Sequence, residues 1–227
     1  MHRILLLCLL FLSFVNCKNP SSSEADREKE ATSNRELTTA EAIAYKNGYA
    51  KWKEVSELTF TFNVDRGDTH SERSWIWNPQ SQQVTLITGK DTVSYNRKET
   101  DSIPTRADAA FINDRYWLLA PFNLMWDEGT TFSEAANVIA PISKDTLNKL
   151  TVVYGLQGGY TPGDAYDFFY SKDFIIREWI FRKGNDSLPS LITTWEDYAQ
   201  FGGLELATMH KDSTGTFKLY FTDISVK

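Results

Sequence analysis

Beyond residue 38 most of the chain alternates apolar and polar side chains with a period of two. Phe60, Phe62 and Val64 alternate with Thr59, Thr61 and Asn63; Trp75 and Trp77 alternate with Ser74 and Ile76; Val84 and Leu86 follow a turn at Asn78-Pro79-Gln80-Ser81. Such alternation predicts half-buried strands. Gly89-Lys90 then turns the chain into Thr92 to Tyr95, which predicts an antiparallel meander. The later half repeats the habit at Leu150-Val152-Tyr154, Tyr166-Phe168-Tyr170, Trp179-Phe181, Leu191-Thr193-Trp195, Leu204-Leu206 and Phe217-Leu219-Phe221. Gly158-Gly159, Lys183-Gly184-Asn185-Asp186, Gly202-Gly203 and Asp212-Ser213-Thr214-Gly215 supply the turns between them. The pattern predicts roughly ten strands in one domain over residues 38–227.

Two segments break the alternation. Thr38-Thr39 can cap a short helix carrying Ala42, Ile43 and Tyr45 and ending near Asn47-Gly48. Thr105 to Asp127 reads as a helix through Ala110, Phe111 and Leu118, stopped by Pro121. The fold class is therefore mainly β, of the α+β kind. A single antiparallel sheet with one apolar face must cover that face. The apolar material outside the strands is the segment around Phe111, Tyr116, Trp117, Leu118, Phe122, Leu124 and Trp126, which is expected on the concave side. A tight fit makes these aromatics ordinary core. A loose fit makes them the wall of a lipophilic site.

The first residues change the picture of where this domain resides. Arg3 precedes a run from Ile4 to Val15 that is almost wholly apolar and too short to span a bilayer, for which about 20 residues are needed. The run ends at Asn16-Cys17 and a polar tract, and Cys17 resembles the lipobox cysteine of bacterial lipoproteins. That resemblance implies a signal peptide over residues 1–16 and a lipid on Cys17 that attaches the chain to membrane. Residues 17–37 are mostly Ser, Glu, Lys, Arg and Asn with almost nothing apolar, a composition expected to form a disordered tether. Lys18 does not resemble the inner-membrane retention signal, which favours an outer-membrane lipoprotein facing the periplasm, expected as a monomer. Both cysteines, Cys8 and Cys17, precede the domain, so it has no thiol for a disulfide, a zinc cluster or a nucleophile. Without the leader, 23 basic residues face 30 acidic ones, a formal charge of -7. That balance excludes nucleic acid, whose phosphates need a basic face, and a second, electrostatic membrane anchor.

Three features occur in one order: an initial helix with Trp52 shortly before the first strand, the segment Tyr116-Trp117-Leu118-Leu119-Ala120-Pro121-Phe122, and a closing series of long strands. Together they resemble the outer-membrane lipoprotein-carrier superfamily, the LolA/LolB-like half-barrels, over about Thr39 to Val226. The resemblance implies a strongly curved antiparallel sheet whose concave face is partly covered by short helices. It also implies an apolar cavity for an acyl chain, lipid or lipoprotein. No ligand-contacting residue of those carriers maps onto a position here, and the carrier itself is soluble whereas this chain reads as anchored. Trp75, Trp77, Phe111, Tyr116, Trp117, Phe122 and Trp126 are the candidate ligand-binding residues. The alternative is a non-catalytic scaffold that docks an envelope partner through its sheet face.

Catalytic chemistry finds no assembled set, so no enzyme, metal or cofactor is expected. His70 and His210 fall on different strands with no motif linking them, and both are expected at the surface. There is no Gly-x-Ser-x-Gly elbow. Gly155-Leu156-Gln157-Gly158-Gly159 lacks the spacing of a phosphate or dinucleotide loop and reads as a strand end and a turn. Asp164 and Asp167 beside a turn offer either calcium ligands or a backbone cap at Asp164. Glu196 and Asp197, adjacent on a strand, would point to opposite faces and could not share one glycosidic bond. Asp91-Thr92, Asp101-Ser102, Asp145-Thr146, Asp186-Ser187 and Asp212-Ser213, each followed by an aliphatic residue or threonine, resemble an O-glycosylation consensus of exported bacterial proteins. The same pairs are also ordinary turn formers.

Overall fold

A computed structural model describes residues 35–227, so the leader, Cys17 and the tether as far as residue 34 lie outside the described residues. From Leu37 onward the chain forms one compact unit. Helix α1 (Thr39–Lys46) starts where predicted: Thr38 accepts from the Glu41 backbone N–H while the Glu41 carboxylate accepts from the Thr38 N–H, a reciprocal capping box. Ile43 and Ala44 on its inner side are fully buried. A 3-10 turn (Tyr49–Glu54) leads into β1 (Leu58–Arg66), β2 (Thr69–Asn78), β3 (Gln83–Thr88) and β4 (Asp91–Asn96). Helix α2 (Thr105–Trp126) follows, and then β5 (Thr130–Ile139), β6 (Thr146–Tyr154), β7 (Ala165–Tyr170), β8 (Ile176–Arg182), β9 (Leu191–Thr194), β10 (Glu196–Phe201), β11 (Leu204–Lys211) and β12 (Phe217–Val226).

All pairings are antiparallel, in a seven-stranded sheet of order β10-β11-β12-β1-β2-β3-β4 and a five-stranded sheet of order β5-β6-β7-β8-β9. The two meet where β9 becomes β10. Trp195 lies between them, its N–H donating to the Arg177 carbonyl at 2.7 Å, and the Lys211 N–H donates to Thr194 Oγ1 at 3.0 Å. One continuous stretch of chain thus leaves the β8 edge and enters the β11 edge. Asp197, with φ 53°, turns it as it crosses. The result is one open curved sheet rather than two stacked ones.

Helix α2 occupies the hollow of that curve, because it touches strands from both arms. Phe111 packs on Trp75 and Trp77 of β2 at ring distances of 5.3 and 5.4 Å, while Trp117 packs on Trp179 of β8 at 4.4 Å. The curved antiparallel sheet with a helix on its concave face is the architecture predicted.

Four details differ from expectation. Among the described residues the strands number seven and five rather than roughly ten. β5 escaped notice because Thr-Thr-Phe-Ser-Glu-Ala-Ala-Asn-Val-Ile does not alternate; it is an edge strand, bulged between Ala135 and Val138 and mostly exposed. Pro121 does not stop α2 but bends it: Leu119 leaves the helical region at φ -119°, ψ 20°, and the helix continues to Trp126. That is the expected response to a ring lacking an N–H and crowding the carbonyl one turn back. His210 is not a surface residue but fully buried, because it shares the inward parity of Leu204 and Leu206 on β11. Its burial drives the imidazole down to a pKa of about 3, so it is neutral.

Ser or Thr of all five Asp-Ser/Thr pairs is exposed, as glycosylation requires. At two of them the aspartate also caps a turn, Asp186 accepting from the Leu188 N–H and Asp212 from the Phe217 N–H.

Candidate functional site

The register of β1 and β2 decides which side chains face the hollow. Leu58 pairs with Trp77, Phe60 with Trp75, Phe62 with Arg73, Val64 with Ser71 and Arg66 with Thr69. These rungs point inward, but α2 covers only the first of them. Leu58, Phe60, Trp75 and Trp77 are buried, whereas Val64 is only half-buried and Arg66, Thr69 and Ser71 are exposed. The uncovered end of the hollow is a cavity of about 530 Å³, within the range of small-molecule sites.

Phe62, Val64, Phe217 and Leu219 form one wall. Tyr166, Trp179, Phe181 and Leu191, from the other arm, form the opposite one. Asn113, Tyr116 and Trp117 of α2 make the floor, and Tyr160 and Thr161 close one side from the β6–β7 loop. Arg66, Thr69, His70, Ser71 and Arg73 give the β1–β2 side a polar border. A smaller hollow of about 380 Å³ lies between the start of α1, Leu124 and Met125, and strands β5 and β6.

Of the seven aromatics singled out by sequence, Tyr116 and Trp117 line the cavity. The other five lie beneath or beside it. Trp75 and Trp77 both pack on Phe111 in the core, tilted and edge-on, and Phe122 and Trp126 pack against Trp52 at 5.6 and 4.8 Å. Arg115 sits among them, its guanidinium 5.3 Å from the Trp77 ring and 5.5 Å from Trp126. The cavity residues that sequence reasoning did not single out are mainly Arg66, Arg73, Tyr160, Phe181, Leu191 and Phe217. For the strand residues the signal was present in the inward parity of β1, β2 and β12. It lacked only the point at which α2 stops covering them.

The polar groups of the site are mostly spoken for. Asp114 is fully buried and takes a bidentate pair from Arg73, from Nε at 2.8 Å and Nη2 at 2.7 Å, and a third bond from Trp75 Nε1 at 2.9 Å. Burial nevertheless raises its carboxyl above the ordinary value, outweighing the opposing pull of Arg73. Tyr160 stacks on Tyr116 with centroids 3.8 Å apart and planes 6° from parallel. Tyr116 hydroxyl meets that of Tyr154 at 3.1 Å, and Tyr154 donates to Asp127 at 2.9 Å. Burial holds Tyr116, Tyr154, Tyr160 and Tyr166 protonated by raising each hydroxyl well above its ordinary value. The cavity therefore offers aromatic surface, a few donors and two arginines, and among the described residues no Asp, Glu, Cys or Lys lines it.

Solved structures similar to this chain include a DUF1329 family protein of Desulfovibrio piger, 8% identical with a TM-score of 0.48, the match covering 83% of this chain and 92% of that one. Another is a LolA superfamily protein of Nitrosomonas europaea, 11% identical with a TM-score of 0.46, covering 84% of this chain and 94% of the other. At these identities the likeness concerns the course of the chain, and no residue role is taken from it. No protein-family model matches the chain, and no curated protein sequence matches it.

The remaining sequence candidates separate. Asp167 is buried against Arg182, whose Nε donates to it at 3.1 Å, with the Thr151 hydroxyl as a further donor, while Asp164 accepts from the Gly184 N–H at 2.7 Å. The two aspartates are thus engaged by different partners. His70 is exposed and bonded to Asp65 at 2.7 Å, its pKa raised chiefly by that bond.

Proposed function

We propose that this protein is a lipid-anchored envelope protein that takes an acyl chain, lipid or lipoprotein into the concave cavity, without catalysing a reaction. The observation that carries this reading is the pairing of a 530 Å³ hollow with a lining of Phe, Tyr, Trp, Leu and Val contributed by both arms of the sheet. Leaving such surface in contact with water costs about 25 cal/mol per Å², which an apolar ligand would recover. Tyr116 and Trp117 are the ligand-contacting members of the original aromatic set, joined by Tyr166, Phe181, Leu191 and Phe217. The anchor belongs on Cys17, and the domain would face the periplasm from the outer membrane as a monomer.

Native mass spectrometry of the protein gently extracted from envelope tests this reading. The expected result is a bound species of acyl-lipid mass on the folded domain. If nothing lipophilic accompanies the protein, and neither dodecyl maltoside nor a charged amphiphile of equal chain length binds the apo domain, the reading is lost. An envelope protein retained without any lipid would favour the scaffold alternative.

A further inference from the structure

The charge of the cavity runs against the charge of the chain. The sequence carries 24 basic and 30 acidic residues, yet the described residues lining the cavity include Arg66, His70 and Arg73 and no carboxylate. These three differ in how far their charge is answered. Asp114 neutralises Arg73 from beneath, and Asp65 answers His70. Arg66 has no ion-pair partner among the described residues. It stands exposed on the last inward rung of β1, its guanidinium 5.4 Å from the ring of Phe217 across the β1–β12 pair. Asp68, in the adjoining turn, neither lines the cavity nor pairs with it.

Resting on the acyl-binding reading, we propose that the cavity selects a single-chain amphiphile with an anionic head, a carboxylate or phosphate, held by Arg66 at the mouth. The placement gives the reason. Arg73 is opposite Phe62 and Arg66 is four residues further along β1, about 13 Å at strand rise, so the wall runs from a neutralised arginine at the floor to an unanswered one at the rim. Ser71 lies between them on the same face and adds a hydroxyl donor, while Thr69, directly opposite Arg66, spends its hydroxyl on the Arg66 carbonyl at 2.7 Å. The opposite wall, with Tyr166, Phe181 and Leu191, is where a hydrocarbon chain would lie. Among the described residues the Arg66 guanidinium makes a ring contact but no hydrogen bond, so its donors are free, and its planar fork matches a carboxylate or phosphate bidentately.

The test compares four probes on the apo domain by calorimetry below their micellar concentrations: dodecanoate, dodecyl phosphate, dodecyltrimethylammonium and dodecyl maltoside, with inorganic phosphate alone as a fifth arm. The two anionic amphiphiles are expected to bind about tenfold or more tighter than the cationic one of equal chain length. In Arg66→Gln that ratio should fall towards one, whereas Lys53→Gln, which removes the same charge from an exposed site off the cavity, should keep it. Equal binding of cationic and anionic chains, or a ratio unmoved by Arg66→Gln, overturns the head-group proposal while leaving acyl binding intact. Inorganic phosphate binding as tightly as dodecyl phosphate would make this a free-anion site and overturn it as well. Failure of all four amphiphiles sinks the acyl-binding reading itself.

Discussion

Arg73 reaches from β2 to clamp Asp114 of α2 with two bonds of 2.8 and 2.7 Å, tying the helix to one arm of the sheet at the cavity floor. The pair is asymmetric: Asp114 is fully buried, while the Arg73 side chain is 37% exposed. Removing the arginine strands a carboxylate in the core, whereas removing the aspartate leaves a cation that water can reach. Arg73→Met is therefore expected to destabilise by about 2–3 kcal/mol near neutral pH. That lies below the roughly 3–5 kcal/mol of a fully enclosed pair because the guanidinium is already half solvated. Protonation relieves a stranded carboxylate, so the penalty should shrink on acidification. The same sign holds in the parent: with its folded pKa raised, Asp114 favours the fold most at low pH and loses that contribution as pH rises through the folded value. Urea unfolding of parent and variant across pH 4 to 8 checks both statements; a penalty that grows on acidification would refute them.

His210 carries the opposite pH dependence. Its ring is enclosed by Trp195 at 4.6 Å, Trp117 at 5.3 Å and Phe221 at 6.1 Å, and its Nε2 has no hydrogen-bond partner among the described residues. The folded pKa of about 3 lies below the ordinary 6.5, so the unfolded chain takes up a proton that the folded one refuses. Stability from this group is complete above about pH 6.5 and is lost as pH falls towards 3, at up to about 1.4 kcal/mol per unit. His210→Met, which fills similar space without a titrating group, should flatten that part of the curve and leave neutral stability unchanged or higher. Thermal melts between pH 4 and 7 decide the matter, and an unaltered acid slope in the variant would rule His210 out as its source.

These two residues also mark what could be read in the sequence. Alternation gave the strands of β1, β2, β7, β8, β11 and β12, and the Thr38-Thr39 capping pair located the start of α1 to within a residue. His210 was misplaced because exposure was judged from residue type, although its parity with Leu204 and Leu206 already placed it inside. Asp114 gave no signal at all, since a lone aspartate amid Asn113 and Arg115 reads as a polar helix face until β2 brings Arg73 and Trp75 against it. The cavity wall was half legible. The inward rungs of β1 followed from the pattern, but the end of helical cover depends on how far the bend at Leu119 lets α2 lie along the sheet, and that is a tertiary property.

The difference between cavity and core can be separated by two substitutions on one strand face. Ser71 and Trp75 both point inward from β2, Ser71 opposite Val64 in the open part and Trp75 opposite Phe60 beneath the helix. Ser71→Trp should fill the cavity, weaken dodecyl maltoside binding by at least about tenfold and change stability by less than about 0.5 kcal/mol, since the site is exposed. Trp75→Ala should cost about 3–5 kcal/mol, since Trp75 is 1% exposed, bonds Asp114 and packs on Phe111. Calorimetric titration and urea unfolding of both variants test the division. Undiminished binding in Ser71→Trp would show that the hollow is not where the chain goes.

Gly48 provides the sharpest structural prediction. It joins α1 to the 3-10 turn with φ 92°, a conformation costly for any residue with a Cβ. It is also pressed against the β10–β11 turn, where an added Cβ would stand 2.4 Å from the Gly203 carbonyl oxygen and 2.9 Å from the Leu204 Cα. Both obstacles are backbone, so no rotamer change can relieve them. The neighbouring contact is a hydrogen bond, the Glu205 N–H donating to the Asn47 carbonyl at 3.0 Å, so any displacement of Gly48 disturbs the attachment of α1 to β11. Gly48→Ala combines positive-φ strain of about 1–2 kcal/mol with this overlap, and a total loss above about 2 kcal/mol is expected. Gly215→Ala is the control, because its φ of 70° carries similar strain while nothing lies within 4 Å of the added Cβ. Its loss should stay near the strain alone. Urea unfolding of the two variants separates conformation from contact, and equal losses would show that the approach of Gly203 does not constrain this junction.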